Sequence, residues 1–263
     1  MPKVSSIDSV EIFYEVIGEG DISLIFIGGW GAPTGRECWK YQLSLAEKYK
    51  IVLVDLAGHG QSGKNRETYT MKLFGHDINS VVEELDLSNI ILIGWSMGGP
   101  VILEAACMFE DRVLGLIPVD SLFPTIGSSY TKREEETILL TLKPFEDNFT
   151  ETYTNLFTSF LSDKFDPEDV AYFNSIVQTL DKRSMISAFR ELLIWNVHDI
   201  LHKIKKPIKS ILAGRTMEHF SKEEYEKYIN SIVLEGLGHI MHYEDPETFN
   251  TALEETMREL SRK

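Results

Sequence analysis

The stretch Asn89-Ile-Ile-Leu-Ile-Gly-Trp-Ser-Met-Gly-Gly-Pro-Val-Ile-Leu-Glu-Ala-Ala-Cys107 decides how this chain is read. Ile90–Ile93 is a short continuous apolar run, the pattern of a buried strand. Gly94-Trp-Ser-Met-Gly98 then turns abruptly, and the run beyond it reads as a helix. A serine at such a turn sits in a strained backbone with its hydroxyl clear of the sheet, the geometry of a nucleophile elbow. Gly94 and Gly98 have no Cβ, so strand and helix can close on the turn from both sides. The helix that opens beside Met97 aims unpaired N–H groups and its positive dipole end at Ser96. A Gly-Ser loop would share the spelling; the flanking strand and helix argue for a nucleophile.

Working outward, similar apolar runs recur at Ser23–Ile27, Ile51–Asp55, Val113–Val119, Ile208–Ala213 and Ile232–Glu235. Their near-continuous hydrophobicity suits parallel strands buried on both faces. Helical patterns at Trp39–Tyr49, Met71–Leu85 and Met97–Phe109 lie between them. Strand and helix in alternation predict an α/β fold with right-handed crossovers. Ile7–Val16 alternates and predicts an antiparallel edge pair.

The alternation stops between Ser121 and Lys206. Four amphipathic helices are expected there, at Lys132–Leu142, Glu151–Leu161, Glu168–Leu180 and Ser184–Trp195. Asp166-Pro167 supplies an N-cap followed by proline at the first helical position. The expected organisation is a core of residues 1–120 and 207–263, interrupted by a helical cap at 121–206. The aromatics Phe145, Phe149, Phe157, Phe160, Tyr172, Phe173, Phe189 and Trp195 pack the cap, and a few line an apolar acyl pocket. Beyond it, Ser221-Lys-Glu-Glu224 reads as a capping box, and Asp245-Pro-Glu247 opens the last helix.

With 43% hydrophobic residues over 263 positions, the chain has ample core for one large domain with an insertion. Its net charge of −15 opposes nucleic-acid binding and docking on an anionic membrane. The opening residues lack the apolar stretch of a signal peptide, and no run is long enough to span a bilayer. Cys38 and Cys107, far apart and without metal-ligand spacing, predict no disulfide framework and a cytoplasmic setting. Cys107 is expected as a buried thiol in the helix after Ser96.

Acyl transfer by a serine needs a base, a group that orients the base, and donors for the oxyanion. His239, in Glu235-Gly-Leu-Gly-His-Ile-Met-His242, follows the last strand at the edge where strand C-termini open onto a crevice. Its imidazole can take a proton from Ser96 and return it to the leaving group. His59, His76, His198, His202, His219 and His242 are read as structural or solvent-facing.

Phe26-Ile-Gly-Gly-Trp-Gly31, Asp55-Leu-Ala-Gly-His-Gly-Gln-Ser62, Gly94-Trp-Ser-Met-Gly-Gly99 and Gly236-Leu-Gly-His239 together give the chain a resemblance to the α/β-hydrolase superfamily over nearly its full length. The resemblance implies a mostly parallel sheet, a helical cap, and a backbone oxyanion hole formed by the N–H groups of Trp30 and Met97. The loop that usually reads His-Gly-x is Gly28-Gly29-Trp30 here. The Gly-His-Gly turn at 58–60 is structural in the family. The family also points to an aspartate after the strand that follows the cap, but Met217 occupies that position. Glu218, one residue on, is one substitute. Asp120, at the end of the strand after Ser96 and at the same crevice edge, is the other and the preferred one.

The expected function is cofactor-independent hydrolysis of a small or medium carboxylic ester through an acyl-enzyme on Ser96, with no metal. Thioester or lactone hydrolysis and acyl transfer would use the same residues. A ligand-binding protein with little turnover is the alternative from another class.

Overall fold

The computed structural model describes residues 2–31, 33–123, 126, 134–161 and 164–262. Among these, eight strands form one sheet: β1 (Lys3–Ser5), β2 (Glu11–Ile17), β3 (Ser23–Ile27), β4 (Lys50–Val54), β5 (Ile90–Trp95), β6 (Val113–Val119), β7 (Lys209–Ala213) and β8 (Asn230–Leu234). Their spatial order is β1-β2-β4-β3-β5-β6-β7-β8. β4 through β8 run parallel, and β2 pairs antiparallel with both β1 and β4. This is the α/β architecture expected, including the antiparallel edge.

Alternation along each strand feeds two apolar layers. Ile25, Ile27, Val52, Val54 and Leu92 pack on one face against Phe74, Ile78 and Val101. Leu24, Phe26, Ile51, Leu53 and Ile93 pack on the other against Trp39, Phe249 and Leu253. The helix Met71–Glu84 starts where the Thr70 side chain accepts from Leu73 N at 3.1 Å, and it buries Met71, Phe74, Ile78, Val81 and Val82 at helical spacing. Gly98–Ala106 is buried almost all round, and its sequence is apolar except at Glu104. The stretch read as a helix at Trp39–Tyr49 is a run of tighter 3-10 turns over Lys40–Glu47.

Between β6 and β7 the chain forms helices at Glu135–Asp147, Phe149–Thr158, Pro167–Ile176 and Lys182–Ile194. The first was expected to begin at Lys132, which lies outside the described residues. It also runs past its expected end at Leu142, through Pro144. Asp166 and Asp181 cap the last two, accepting from Glu168 N at 2.8 Å and Ser184 N at 2.9 Å. Ser221 accepts from Glu224 N, one half of the capping box read there, and the Asp245 cap accepts from Thr248 N. No helix among the described residues is long and apolar enough to cross a membrane.

The thiols differ from expectation. Both are free, but Cys107 is exposed and Cys38 is the buried one. The helix after Ser96 ends at Ala106, so Cys107 caps it and turns away from the core.

The turn containing His59 carries a pH-sensitive load. His59 is buried, with Nδ1 3.1 Å from Ala57 O and Nε2 without a partner among the described residues. Burial lowers its pKa from 6.5 to about 4. The unfolded chain therefore binds a proton that the folded chain refuses. Stability present above pH 6.5 is lost as pH falls toward 4, by about 3 kcal/mol from this group. Urea unfolding across that window should show the decline, and His59→Gln should flatten it by a similar amount.

Candidate active site

β3 leads on to β4 at one side of it, and the chain then crosses back to place β5 at its other side. The C-terminal ends of β3 and β5 therefore meet at the point where the strand order reverses, the usual place for a ligand crevice in an open α/β sheet. β3 leads into the Gly28–Gly31 loop, and Ser96 directly follows β5.

Ser96 has φ +54°, the left-handed region that a non-glycine residue enters only when its surroundings impose it. Those surroundings are visible. Ser96 N donates to Val119 O at 3.0 Å, Gly99 N donates to Ser96 O at 3.0 Å, and Ser121 Oγ donates to that same carbonyl. A Cβ on Gly94 would overlap the Gly98 carbonyl oxygen, which is backbone and cannot swing aside. Gly94→Ala should accordingly cost about 3 kcal/mol in urea unfolding. It should also lower turnover by displacing the turn.

His239 is carried by the loop after β8. Arg215 N donates to Leu237 O at 3.1 Å, Gly238 N donates to Glu244 Oε2 at 2.6 Å, and Trp95 Nε1 donates to His239 O at 2.8 Å. The imidazole lies with Nε2 3.1 Å from Ser96 Oγ and Nδ1 2.6 Å from Asp120 Oδ2. Both ring nitrogens thus face groups on neighbouring strand ends. Phe160, from the helical insertion, packs over the ring at 4.8 Å between centroids.

Asp120 is fully buried, with φ +40°. Its N–H donates to Ile211 O at 2.7 Å. Its Oδ1 accepts from Ala213 N at 2.9 Å, and Oδ2 accepts from Thr216 Oγ1 at 2.8 Å. A buried carboxylate needs such donors. Glu218 follows the short helix Gly214–Met217, with its backbone N–H on Gly214 O at 3.2 Å. The structure brings Ser96, His239 and Asp120 into one chain of contacts, and Glu218 is not part of it. Thr216 and Ser121 escaped sequence reading, because a lone hydroxyl beside a strand end carries no pattern.

Trp30 and Met97 lie on either side of Ser96. Met97 opens the helix Gly98–Ala106, where the first N–H groups have no intrahelical acceptor. The Trp30 side chain anchors its loop to the insertion. Nε1 donates to Met185 O at 2.8 Å, and the indole stacks on Phe189 at 4.6 Å.

His242, three residues beyond His239, is buried against Trp39 and Trp95, with Cys38 Sγ 4.0 Å from its Nε2. Burial and the neighbouring His239 lower its pKa to about 3, so it stays neutral packing.

Two small cavities meet at Ser96. One, of about 150 Å³, includes Met97, Pro100, Leu122, Leu193 and Trp195 in its lining. The other, of about 120 Å³, includes Trp30, Tyr153, Phe157, Phe160 and His239. Phe189 and Leu192, one turn apart on the helix Lys182–Ile194, line both and stand between them. Of the eight cap aromatics, Phe157, Phe160, Phe189 and Trp195 therefore reach a cavity. Phe145 packs on Phe149 and edge-on to Trp30, while Phe173 packs on Tyr172, Phe165 and Tyr243. A hydroxyl on an imidazole whose far nitrogen meets a buried carboxylate is an arrangement suited to acyl transfer.

Fold and site together define a class. Residues 22–246 match the family model described as alpha/beta hydrolase fold, and the chain belongs to that family of enzymes. The AB hydrolase superfamily protein YisY of Bacillus subtilis (strain 168) is 28% identical over 259 residues, 94% of this chain and 95% of that protein. A pimeloyl-acyl-carrier-protein methyl ester esterase of Yersinia enterocolitica is 34% identical over 112 residues, which span 42% of this chain and 41% of the relative. The crystal structure of a bromoperoxidase from Bacillus anthracis superposes with a TM-score of 0.84 at 21% identity, covering 98% of this chain and 100% of that one. This last likeness is one of fold.

Proposed function

We propose that the protein is a cofactor-independent serine hydrolase for carboxylic esters with small, apolar groups on both sides of the ester. The observation that carries this reading is the Asp120–His239–Ser96 chain of contacts, opening where two small apolar cavities meet. Ser96 Oγ attacks the ester carbonyl while His239 Nε2 takes its proton. Asp120 holds the Nδ1 tautomer and stabilises the imidazolium. The N–H groups of Trp30 and Met97 receive the tetrahedral oxyanion, each such donor being worth about 100- to 1,000-fold in rate. His239 then protonates the leaving alcohol, and water cleaves the acyl-enzyme by the reverse path. The match to an ester-cleaving relative over part of the chain agrees with this chemistry.

The linings of the two cavities support an assignment for the two halves of the substrate. The leaving oxygen must lie within reach of His239 Nε2. His239 lines the smaller cavity, so the alcohol occupies that one and the acyl group the other. An apolar cavity of about 150 Å³ holds a group of roughly benzene's size. Among the described residues no Lys or Arg lines either cavity, which favours uncharged groups on the substrate. The insertion acts as the cap that closes both cavities. Two unpaired thiols suit a reducing, cytoplasmic setting.

Intact-mass measurement after incubation with a fluorophosphonate tests the nucleophile. A single adduct is expected on the wild type and none on Ser96→Ala. Absence of an adduct from the folded wild type would reject hydrolysis by Ser96 in favour of ligand binding with little turnover.

A further inference from the structure

Trp195 lies at a boundary. It caps the helix Lys182–Ile194 in an extended conformation, its N–H on Glu191 O at 3.0 Å. Its side chain lines the 150 Å³ cavity beside Ser96. It also lines a larger outer groove of about 620 Å³, where Met71, Cys107, Met108, Ile194 and Ile200 supply apolar surface between charged residues such as Lys72, Glu191, Asp199 and Lys203. Among the described residues, Trp195 is the one shared by the two linings. The ring is held by a single side-chain hydrogen bond, Nε1 to Glu104 Oε1 at 2.9 Å. Glu104 is on the helix that begins beside Ser96, so the contact ties the insertion to the element that carries the nucleophile.

We propose that Trp195 is the specificity-determining wall that sets the length of acyl group the enzyme accepts. The proposal rests on the reading of Ser96 as nucleophile and of the 150 Å³ cavity as the acyl site. With the indole in place, an acyl chain that has filled this cavity meets an aromatic face. Without it, the cavity opens into the outer groove, whose apolar side chains can cover several further methylenes. Trp195 acts on substrate length alone and has no part in proton transfer.

The position of Cys107 supplies an independent readout. It lines the outer groove and is exposed, whereas Cys38 is buried. Cys107 is therefore the accessible target for a maleimide with a bulky N-substituent, which would occupy the groove from outside.

The test compares wild type and Trp195→Ala on methyl esters of acetate through octanoate, and on acetates of methanol through octanol. The ratio of kcat/KM for the octanoate over the acetate methyl ester should rise about 100-fold in the variant, since each well-buried methylene is worth roughly tenfold or more. The alcohol-length preference should keep its shape. Maleimide on Cys107 should abolish the gain in Trp195→Ala and leave the wild-type profile as it was, with Cys107→Ser as the unlabelled control. An unchanged acyl profile, a gain confined to the alcohol series, or a gain indifferent to the label would each overturn the proposal. Should Trp195→Ala not fold, Trp195→Leu carries the same test, with a smaller shift in the same direction.

Fluorophosphonate labelling of both proteins reports on Ser96 separately. Adducts on both with an unchanged acyl profile reject the role of Trp195 alone. Calorimetric binding of methyl octanoate, compared between Ser96→Ala and Ser96→Ala/Trp195→Ala, decides that role without turnover. Tightening by about tenfold or more supports it, and equal affinity rejects it.

Discussion

Turnover of a small ester by Ser96→Ala is expected to fall about a million-fold in kcat, with the folded state retained. The size of the loss follows from the way the residues act. Without the hydroxyl, His239 has no proton to take and no acyl-enzyme forms, so the remaining groups cannot act in sequence. What survives is stabilisation by the backbone donors and by substrate binding, which alone leaves a residual rate above that of water. His239→Ala should lose about as much, and Ser96→Ala/His239→Ala little more than either, because the two residues serve one step. Removing Ser96 also relieves no packing that the fold needs. Its backbone position is held by Val119 O, Gly99 N and Ser121 Oγ, none of which touches its side-chain oxygen. Urea unfolding of the variant should therefore stay near the wild-type midpoint. A loss smaller than about a hundredfold would mean that another group attacks the ester.

The second large effect is expected at Asp120. Asp120→Asn should lower kcat by roughly 10,000-fold, while Glu218→Gln should stay within about twofold of the wild type. An amide in place of the carboxylate can offer its N–H to His239 Nδ1. That would force the proton onto Nε2, the nitrogen that must accept from Ser96. The imidazolium formed in the reaction would also lose its counter-charge. Thr216 and the N–H of Ala213 hold the carboxyl group in register, at 2.8 and 2.9 Å. Thr216→Val should therefore lower kcat by about tenfold, with KM little changed, as one of these supports is removed. If Glu218→Gln alone collapsed turnover in a folded protein, the assignment of Asp120 would be wrong.

Much of this molecule is written in local sequence. Strands buried on both faces are near-continuously apolar, and the runs Ser23–Ile27 and Val113–Val119 coincide with observed strand bounds. Caps at Asp166, Ser221 and Asp245 are read directly, because a cap needs one oxygen at a fixed offset from free N–H groups. The strained turn at Ser96 is legible for a similar reason: glycine is required where backbone meets backbone. Local pattern misjudged Cys107, since helix periodicity does not reveal at which residue a helix ends.

Other features depended on contacts between residues distant in the chain. Asp120 and Glu218 each follow a strand, and periodicity cannot say which carboxyl group reaches His239. The parallel pairing of β6 with β7 decides the geometry, placing Asp120 beneath the Ala213–Thr216 segment and against Nδ1. The anchoring of the Trp30 loop on Met185 joins positions 155 residues apart, and a carbonyl acceptor has no sequence signature at all. The helices between β6 and β7 are each legible from their amphipathic faces, but that pattern says only that one side is buried, not what it is buried against. Which aromatics face Ser96 follows from how those helices lie across the strand ends. Sequence by itself therefore determined the order of elements, the turn at Ser96 and the residues able to carry the chemistry. Tertiary structure alone decided which carboxyl group meets the histidine and how the space around Ser96 is divided, because both depend on distances that only packing sets.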